Sequence, residues 1–365
     1  MTQMGETVNL ARLNEACGMK FKPWEDDISR PRTPEKAKRR LLMRSIQVRQ
    51  FGLPEVLQLV EQAEPQAGAG QVVIAVEAAG VSFGDTSVRA GKYPFPLPFV
   101  PGWEVGGRVI EVGAGGDSAL LGKPVVARTA SGGGYSERVL AEASNVFPLP
   151  ENLAVEQALG VLLAGGTAIS LLKIARVAPG ETVLITAASG NTGSQLIQLA
   201  KAAGAGMVIG AAGGAEKLAV VSRLGADVIV DYSQEGWVEQ ILNATEGKGV
   251  DVAIDAVGGT LGRQVFALVA DGHGRLAVYG SSSGVEATIG LGELAMRGVT
   301  AIGALGLAMA RTEQELLADM QTALREAAAG RLLAVTEQRF PLEQAARAHE
   351  LIEARKHVGK VLLIP

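Results

Sequence analysis

The sequence predicts an α/β protein that joins a barrel-like β domain to a doubly wound parallel sheet. A glycine-rich corner at residues 186–193 stands between a buried apolar run and a helical segment. From residue 165 to residue 304, apolar runs alternate with helical segments, which is typical of parallel strands buried on both faces. Residues 43–164 instead hold short β-rich segments separated by Gly and Pro, which predicts an antiparallel, barrel-like part.

The corner follows ETVLIT, a β-branched run, and leads into a helix that is expected to end at Gly204. Its small residues Ala188, Gly190 and Gly193 form a G-x-G-x-x-G pattern with alanine in the first place. Such a turn bends tightly and leaves N–H groups at the helix start that suit a pyrophosphate. Tight packing of a helix on a strand gives the same pattern without a ligand. The corner follows the first strand of the predicted sheet, and this placement favours a dinucleotide site.

The order of segments predicts three parts of the chain. Residues 1–42 combine an acidic and a basic, proline-containing stretch, and we expect a disordered or non-native extension. Residues 43–164 and 305–365 form one domain, and residues 165–304 form the nucleotide-binding domain with six strands. The closing segment GKVLLIP is expected to pair with the sheet of the first domain.

Composition narrows the classes of function. The 365 residues are 47% hydrophobic and carry a net charge of only −4. The composition therefore predicts no broad basic surface of the kind that binds nucleic acid. The single cysteine, Cys17, excludes an intrachain disulfide and a multi-cysteine zinc site. The sequence predicts no apolar run long enough to span a bilayer and no membrane partner. We therefore expect a cytoplasmic protein.

The end of the second strand predicts which dinucleotide binds. In this fold an acidic residue there holds the ribose hydroxyls of NAD. Here the strand GMVIGAA ends in Gly213 and Gly214, with no carboxylate in the turn. Lys217 and Arg223 follow on the next helix, and a lysine attracts a 2′-phosphate that a carboxylate would repel. The pattern favours NADPH, although both cations could equally be solvated helix residues.

Several stretches, in order, resemble the medium-chain dehydrogenase/reductase superfamily and, within it, the zinc-free quinone oxidoreductases of the zeta-crystallin type. The resemblance covers residues 43–365 and rests on FGLPEVLQL, AAGVSFGDTSVRAGKYP, VPGWEVGGRVIEVG, GGGYSERV, the glycine corner, VDYS, DAVGG, GSSSG and GKVLLIP. It implies a GroES-like β-barrel catalytic domain, a six-stranded Rossmann sheet and a homodimer that pairs through the strand VTAIGA.

The resemblance also implies roles for individual residues. The pyrophosphate would be held by Ser189, Gly190, Asn191, Thr192 and Gly193. The 2′-phosphate would be held by Lys217 and Tyr232. The nicotinamide half would lie near Thr167, Val257, Ser281, Ser282 and Ser283. The substrate side would be lined by Ser82, Asp85 and Tyr93. Relatives often carry Asn in place of Ser82 and Tyr in place of Ser87, and these departures bear on quinone preference.

The resemblance implies no metal. Zinc-dependent relatives carry Cys-His where this chain has Ser-Phe at positions 82–83, and Gly-His-Glu where it has Gly-Trp-Glu at 102–104. The three histidines, His273, His349 and His357, do not stand at those positions. Trp103 is interpreted either as a wall of the substrate cleft or as a core aromatic.

The resulting hypothesis is an NADPH-dependent reductase that passes a hydride to a quinone. An activated C=C bond in an enal, enone or enoyl thioester fits the same scaffold. Tyr93 is the candidate proton donor, followed by Ser82, and water is an alternative; Asp85 orients a turn or acts as an acid. A second class of function is an NADPH-binding protein without significant turnover. A methyltransferase would not account for the β domain.

Overall fold

The structure is a computed structural model that describes residues 41–336 and 338–365. Cys17 and nearly all of the expected extension at residues 1–42 lie outside the described residues. The first elements are β1 (Leu42–Gln47), β2 (Gln58–Ala63), β3 (Gln71–Val81), α1 (Phe83–Arg89), β4 (Glu104–Val112), β5 (Pro124–Arg128), β6 (Arg138–Glu142) and β7 (Val146–Pro148). β1 pairs with β2, and β3, β4, β5 and β7 pair in that order, all antiparallel, with β6 also on β3. This arrangement is the β part that the short, Gly- and Pro-separated segments predict.

The long helix α2 (Val155–Ala175) follows, and it is apolar on all sides because it packs against β3, β4 and β5 and also against the second sheet. The expected domain boundary at residues 164 and 165 falls inside this helix. By length and composition α2 could cross a membrane, so the prediction that no apolar run is long enough was wrong. In the fold, 72% of its most apolar window is buried. The buried core helix of a soluble protein can have the same length and apolar composition.

The second sheet is parallel and has six strands, as predicted. Its elements are β8 (Thr182–Ile185), α3 (Asn191–Ala202), β9 (Met207–Ala212), α4 (Ala215–Arg223), β10 (Val228–Asp231), α5 (Trp237–Ala244), β11 (Val252–Asp255), α6 (Gly259–Leu268), β12 (Arg275–Val278), α7 (Leu291–Arg297) and β13 (Thr300–Gly303). The strands lie in the order β10-β9-β8-β11-β12-β13. The strand order therefore reverses between β8 and β11, where ligands of doubly wound folds bind.

The remaining elements return the chain to the first sheet. They are α8 (Ala304–Met309), α9 (Glu313–Ala328), β14 (Gln338–Pro341), α10 (Ala345–Glu353) and β15 (Val361–Ile364). β15 pairs antiparallel with β3 and parallel with β14. The prediction that the closing strand joins the N-terminal sheet is confirmed. The short link between α10 and β15 passes the reversal point of the second sheet, since Gly359 bridges to Gly190.

Candidate cofactor and substrate site

The glycine-rich corner is the turn between β8 and α3. Ala187 has a left-handed φ of +48°, and the N–H of Gly190 donates to its carbonyl at 2.9 Å. A Cβ at Gly193 would lie 2.4 Å from the oxygen of Ala187, so the turn requires glycine at that position. The first amides of α3 have no acceptor within the helix, as at every helix start. These amides suit an anionic group at the carboxyl edge of the sheet.

Asp255, at the end of β11, joins this turn to the neighbouring loop. Its buried carboxylate accepts hydrogen bonds from Thr186 Oγ1 at 2.6 Å and from the N–H groups of Val257 and Gly258, each at 3.0 Å. One side chain therefore fixes the loops that follow β8 and β11, on the two sides of the reversal point. The sequence analysis did not identify this role; the only signal is an acidic residue that ends the apolar run VDVAID.

A cavity of about 560 Å³ is lined by the loop that follows β11 and by Gly213 in the turn that follows β9. The predicted cofactor residues that line it are Lys217, Tyr232, Val257, Ser282 and Ser283. A Cβ at Gly213 would lie 3.3 Å from the ring of Tyr232, so glycine keeps this end of the cavity open. The described residues that line the cavity include no Asp or Glu.

Arg355 also lines the cavity and was missed by sequence reasoning. It follows α10, and its Nη2 donates to the carbonyl of Ser282 at 2.8 Å. Lys217 Nζ donates to the carbonyl of Arg355 at 2.5 Å, across 138 residues of sequence. Burial lowers the pKa of Lys217, and the positive charge of Arg355 lowers it further. Two cations thus share one cavity, which is an arrangement that a phosphate dianion would stabilise.

The other predicted cofactor residues lie elsewhere. Thr167 is half-buried on α2, and Ser281 is exposed after β12; neither lines the cavity. Ser189 is buried, and its carbonyl accepts the N–H of Gly359 at 2.8 Å. The buried Oδ1 of Asn191 has no hydrogen-bond partner. Val257, Ser282 and Ser283, which were expected near the nicotinamide, line the same cavity as the two cations.

On the substrate side, Ser82 and Asp85 form the N-terminal cap of α1. Ser82 Oγ donates to Asp85 Oδ2 at 2.5 Å and accepts the N–H of Asp85 at 3.3 Å. The backbone N–H of Ser82 donates to the same carboxylate oxygen at 2.6 Å. Burial raises the pKa of Asp85 to about 6, although the hydrogen bond from Ser82 opposes this shift. The pair is therefore a capping box, and the Oδ1 of Asp85 is left without a partner.

Two aromatic residues flank the predicted substrate side. Tyr93 lies in the turn after α1, and its side chain is 45% exposed. Trp103 is half-buried and meets Phe95 edge-on, with ring centroids 5.7 Å apart. Phe95 in turn meets Phe99 at 4.8 Å. Trp103 therefore belongs to an aromatic cluster at the edge of the hydrophobic core of the β domain.

Two pairs of polar side chains are buried in the β domain. Glu104 at the start of β4 forms an ion pair with Lys360, and both side chains are almost fully buried. Tyr135 Oη and His349 Nε2 share a hydrogen bond of 3.0 Å inside the core. Tyr135 thus packs in the core and also satisfies a buried polar partner. Burial lowers the pKa of His349 to about 3, so this imidazole is neutral near pH 7.

Within the described ranges, no group of three or more His, Cys, Asp or Glu side chains is placed to hold a metal ion. Zinc-dependent relatives carry a histidine at the position of Trp103. The next residue, Glu104, is buried in an ion pair with Lys360.

Comparisons with known proteins agree with this architecture. The family model of the alcohol dehydrogenase GroES-like domain matches residues 68–151, and that of the zinc-binding dehydrogenase matches residues 192–322. Quinone oxidoreductase 1 of Escherichia coli K12 is 34% identical over 88% of this chain and 99% of its own length. The crystal structure of Escherichia coli quinone oxidoreductase complexed with NADPH is 32% identical, with a TM-score of 0.80 over 88% of this chain and 100% of that one. A quinone oxidoreductase of Pseudomonas syringae pv. tomato is 34% identical, with a TM-score of 0.79 over the same shares.

The similarity to these relatives thus extends over nearly their whole length. On these grounds the chain belongs to the zinc-free quinone oxidoreductase branch of the medium-chain dehydrogenase/reductase superfamily.

Proposed function

We propose that this protein is an NADPH-dependent oxidoreductase that reduces a quinone without zinc. The observation that carries the proposal is the cavity shared by Lys217 and Arg355 at the carboxyl edge of the parallel sheet. Its cations distinguish the 2′-phosphate of NADPH from the free hydroxyl of NADH. The relative crystallised with NADPH supports the same cofactor.

The protein binds the cofactor through two groups of residues. The amides at the start of α3, beside Gly190 and Gly193, hold the pyrophosphate. Lys217, Tyr232 and Arg355 hold the 2′-phosphate. NADPH, when bound, supplies a hydride from its nicotinamide ring. The part left to the protein is the alignment of the acceptor and the supply of a proton.

A quinone acceptor is supported by the names of the relatives and by the aromatic cluster at the substrate side. Trp103 is half-buried and meets Phe95 edge-on, and its ring is the proposed apolar surface for a planar acceptor. The quinone gains one hydride and one proton, and it leaves as a hydroquinone. An enal, enone or enoyl thioester would use the same apolar surface, and it is the alternative acceptor.

Tyr93 is the proposed proton donor to the acceptor oxygen, because its exposed hydroxyl is free to reach a bound molecule. Ser82 is second, since its hydroxyl already donates to Asp85. Asp85 acts by capping α1 and orienting Ser82.

The first experiment follows the loss of reduced-cofactor absorbance with NADPH and NADH in parallel. The acceptors are a benzoquinone, a naphthoquinone, a 2-alkenal, an enone and an enoyl thioester. We expect the naphthoquinone or benzoquinone to react fastest, and faster with NADPH. A clear preference for an alkene would assign the alternative acceptor. Tight NADPH binding with no reaction on any acceptor would instead favour a binding protein without turnover.

We also propose that the protein is a cytoplasmic homodimer. β13 is an edge strand, and six of the exposed large apolar side chains lie between residues 285 and 309 around it. An exposed apolar sheet edge is suited to pairing with a second copy.

The two sheets further support a catalytic domain of residues 43–164 and 305–365 and a nucleotide-binding domain of residues 165–304. The cytoplasmic location rests on the near absence of cysteine.

A further inference from the structure

Residues 355–360, in the link between α10 and β15, contact the cavity of the two cations, the turn after β8 and Glu104. Its first residue, Arg355, lines the cavity of the two cations. The N–H of Gly359 donates to the carbonyl of Ser189 in the phosphate turn at 2.8 Å. Its last residue, Lys360, forms the buried ion pair with Glu104 on the substrate side. Six consecutive residues therefore join the cofactor cavity to the first sheet.

The link is held firmly at both ends. At its start, Lys217 Nζ binds the carbonyl of Arg355, and Arg355 binds the carbonyl of Ser282. At its end, the N–H of Lys360 donates to the carbonyl of Val335 at 2.7 Å. Gly359 has a φ of +61°, and a Cβ there would lie 2.3 Å from the oxygen of Val335. The position thus requires glycine, and backbone hydrogen bonds from Gly359 and Lys360 hold this end of the link in place.

The buried ion pair reaches the substrate side. Glu104 Oε2 accepts the N–H of Leu163 on α2 at 3.4 Å. The charge of Lys360 lowers the pKa of Asp85 and that of Glu104 raises it, and Asp85 caps α1 and holds Ser82. A Cβ at Gly80 would lie within 2.7 Å of the side chains of Lys360 and Glu104. The ion pair therefore fills the space beside β3 at this glycine.

We propose that Lys360 is a positioning residue through which recognition of the cofactor's 2′-phosphate by Arg355 orders the substrate side around Glu104 and Ser82. A 2′-phosphate bound by Arg355 pins the start of the link, and Gly359 carries this restraint to Lys360. NADPH then prepares the acceptor site better than NADH does, even when each cofactor saturates its site. This inference rests on the proposed 2′-phosphate site.

The test compares the full-length wild type with four variants: Lys217→Ala, Lys356→Met, Lys360→Met and the double variant Glu104→Gln with Lys360→Met. Lys356→Met is the matched control, because it removes an exposed cation from the same link. The double variant avoids an unpaired buried carboxylate, which could prevent Lys360→Met alone from folding. Dissociation constants of NADPH and NADH are measured by fluorescence titration. Acceptor kcat/KM is measured with 1,4-naphthoquinone at saturating cofactor, and hydrogen exchange is measured over residues 80–92.

In the wild type and in Lys356→Met we expect kcat/KM for the quinone to be at least about fivefold higher with NADPH than with NADH, the lower end of typical coupling between sites. NADPH should also slow exchange over residues 80–92 more than NADH does. Both Lys360 variants should lose these two differences and keep the wild-type ratio of the NADPH and NADH dissociation constants. A purely structural role for Lys360 would weaken both cofactors alike and leave the differences in place.

Two results overturn the proposal: equal effects of NADPH and NADH in the wild type, or differences that persist in the double variant. Lys217→Ala tests the site on which the proposal rests. If it weakens NADPH and NADH equally, the proposed 2′-phosphate site itself is wrong. If it weakens NADPH selectively while the exchange difference is absent in the wild type, only the role of Lys360 fails. The exchange measurement decides this even if the quinone does not react.

Discussion

Arg355 Nη2 donates a hydrogen bond of 2.8 Å to the backbone carbonyl of Ser282, 73 residues earlier in the chain. This contact, together with the bond from Lys217 to the carbonyl of Arg355, places two cations in one cavity. The cavity is open toward the turn at Gly213, where an acidic residue would select NAD. We therefore propose that cofactor choice in this protein depends on Arg355.

Replacement of Arg355 tests directly whether it selects NADPH over NADH. Arg355→Met should raise the dissociation constant of NADPH about tenfold or more, because a hydrogen bond to a charged group contributes about 1.5–3 kcal/mol. The constant for NADH should change little, since NADH has no 2′-phosphate. Both constants are read by fluorescence titration, with Lys356→Met as the control of equal charge change. Equal weakening of both cofactors would show that Arg355 supports the fold alone.

The capping carboxylate predicts a pH dependence of stability. Burial raises the pKa of Asp85 from 3.8 to about 6 in the folded protein. Between these values the folded state binds the extra proton, so the contribution of Asp85 to stability falls as pH rises through that window. A shift of this size corresponds to about 3 kcal/mol. Asp85→Asn should therefore gain stability relative to the wild type as pH rises from about 4 to about 7.

Urea unfolding at several pH values measures this difference. Asp117→Asn is the control, because Asp117 is an exposed carboxylate that also accepts a backbone N–H at the start of a helical turn, at 2.9 Å. The stability difference between the control and the wild type should stay nearly constant across the same window. A constant difference for Asp85→Asn as well would contradict the raised pKa.

Tyr93→Phe tests the proton donor. Loss of the hydroxyl should lower kcat with the best acceptor about tenfold or more, since a positioned acid contributes at least that much. The NADPH dissociation constant should remain unchanged, because Tyr93 does not line the cofactor cavity. An unchanged kcat would assign the proton to water or to Ser82, which Ser82→Ala would then separate.

The edge strand tests the dimer. Ala301→Pro, in the middle of β13, should convert the dimer to a monomer in sedimentation velocity, because proline removes a backbone donor at the pairing edge. Ile229→Pro makes the same change on β10, the opposite edge of the sheet, and should remain dimeric. Circular dichroism confirms that both variants are folded. A monomeric wild type would refute the proposed homodimer.

The sequence predicted what depends on short-range pattern. The six parallel strands follow from apolar runs of strand length, and the phosphate turn follows from the spacing of Ala188, Gly190 and Gly193. Lys217 was found because it stands at a fixed place after the second strand. The prediction that no apolar run could span a bilayer was wrong, because α2 is apolar on all sides and has no polar stripe along its surface.

By itself, the sequence determined the two-part α/β architecture, the phosphate turn and the absence of an acidic residue at Gly213 and Gly214. Each of these depends on residues close together in the chain. Tertiary structure alone decided that Arg355 joins Lys217, that Asp255 clamps two loops and that Lys360 meets Glu104. The partners in the first and last of these contacts lie more than a hundred residues apart. No periodicity records such contacts, because they arise only when the returning chain crosses the reversal point of the sheet.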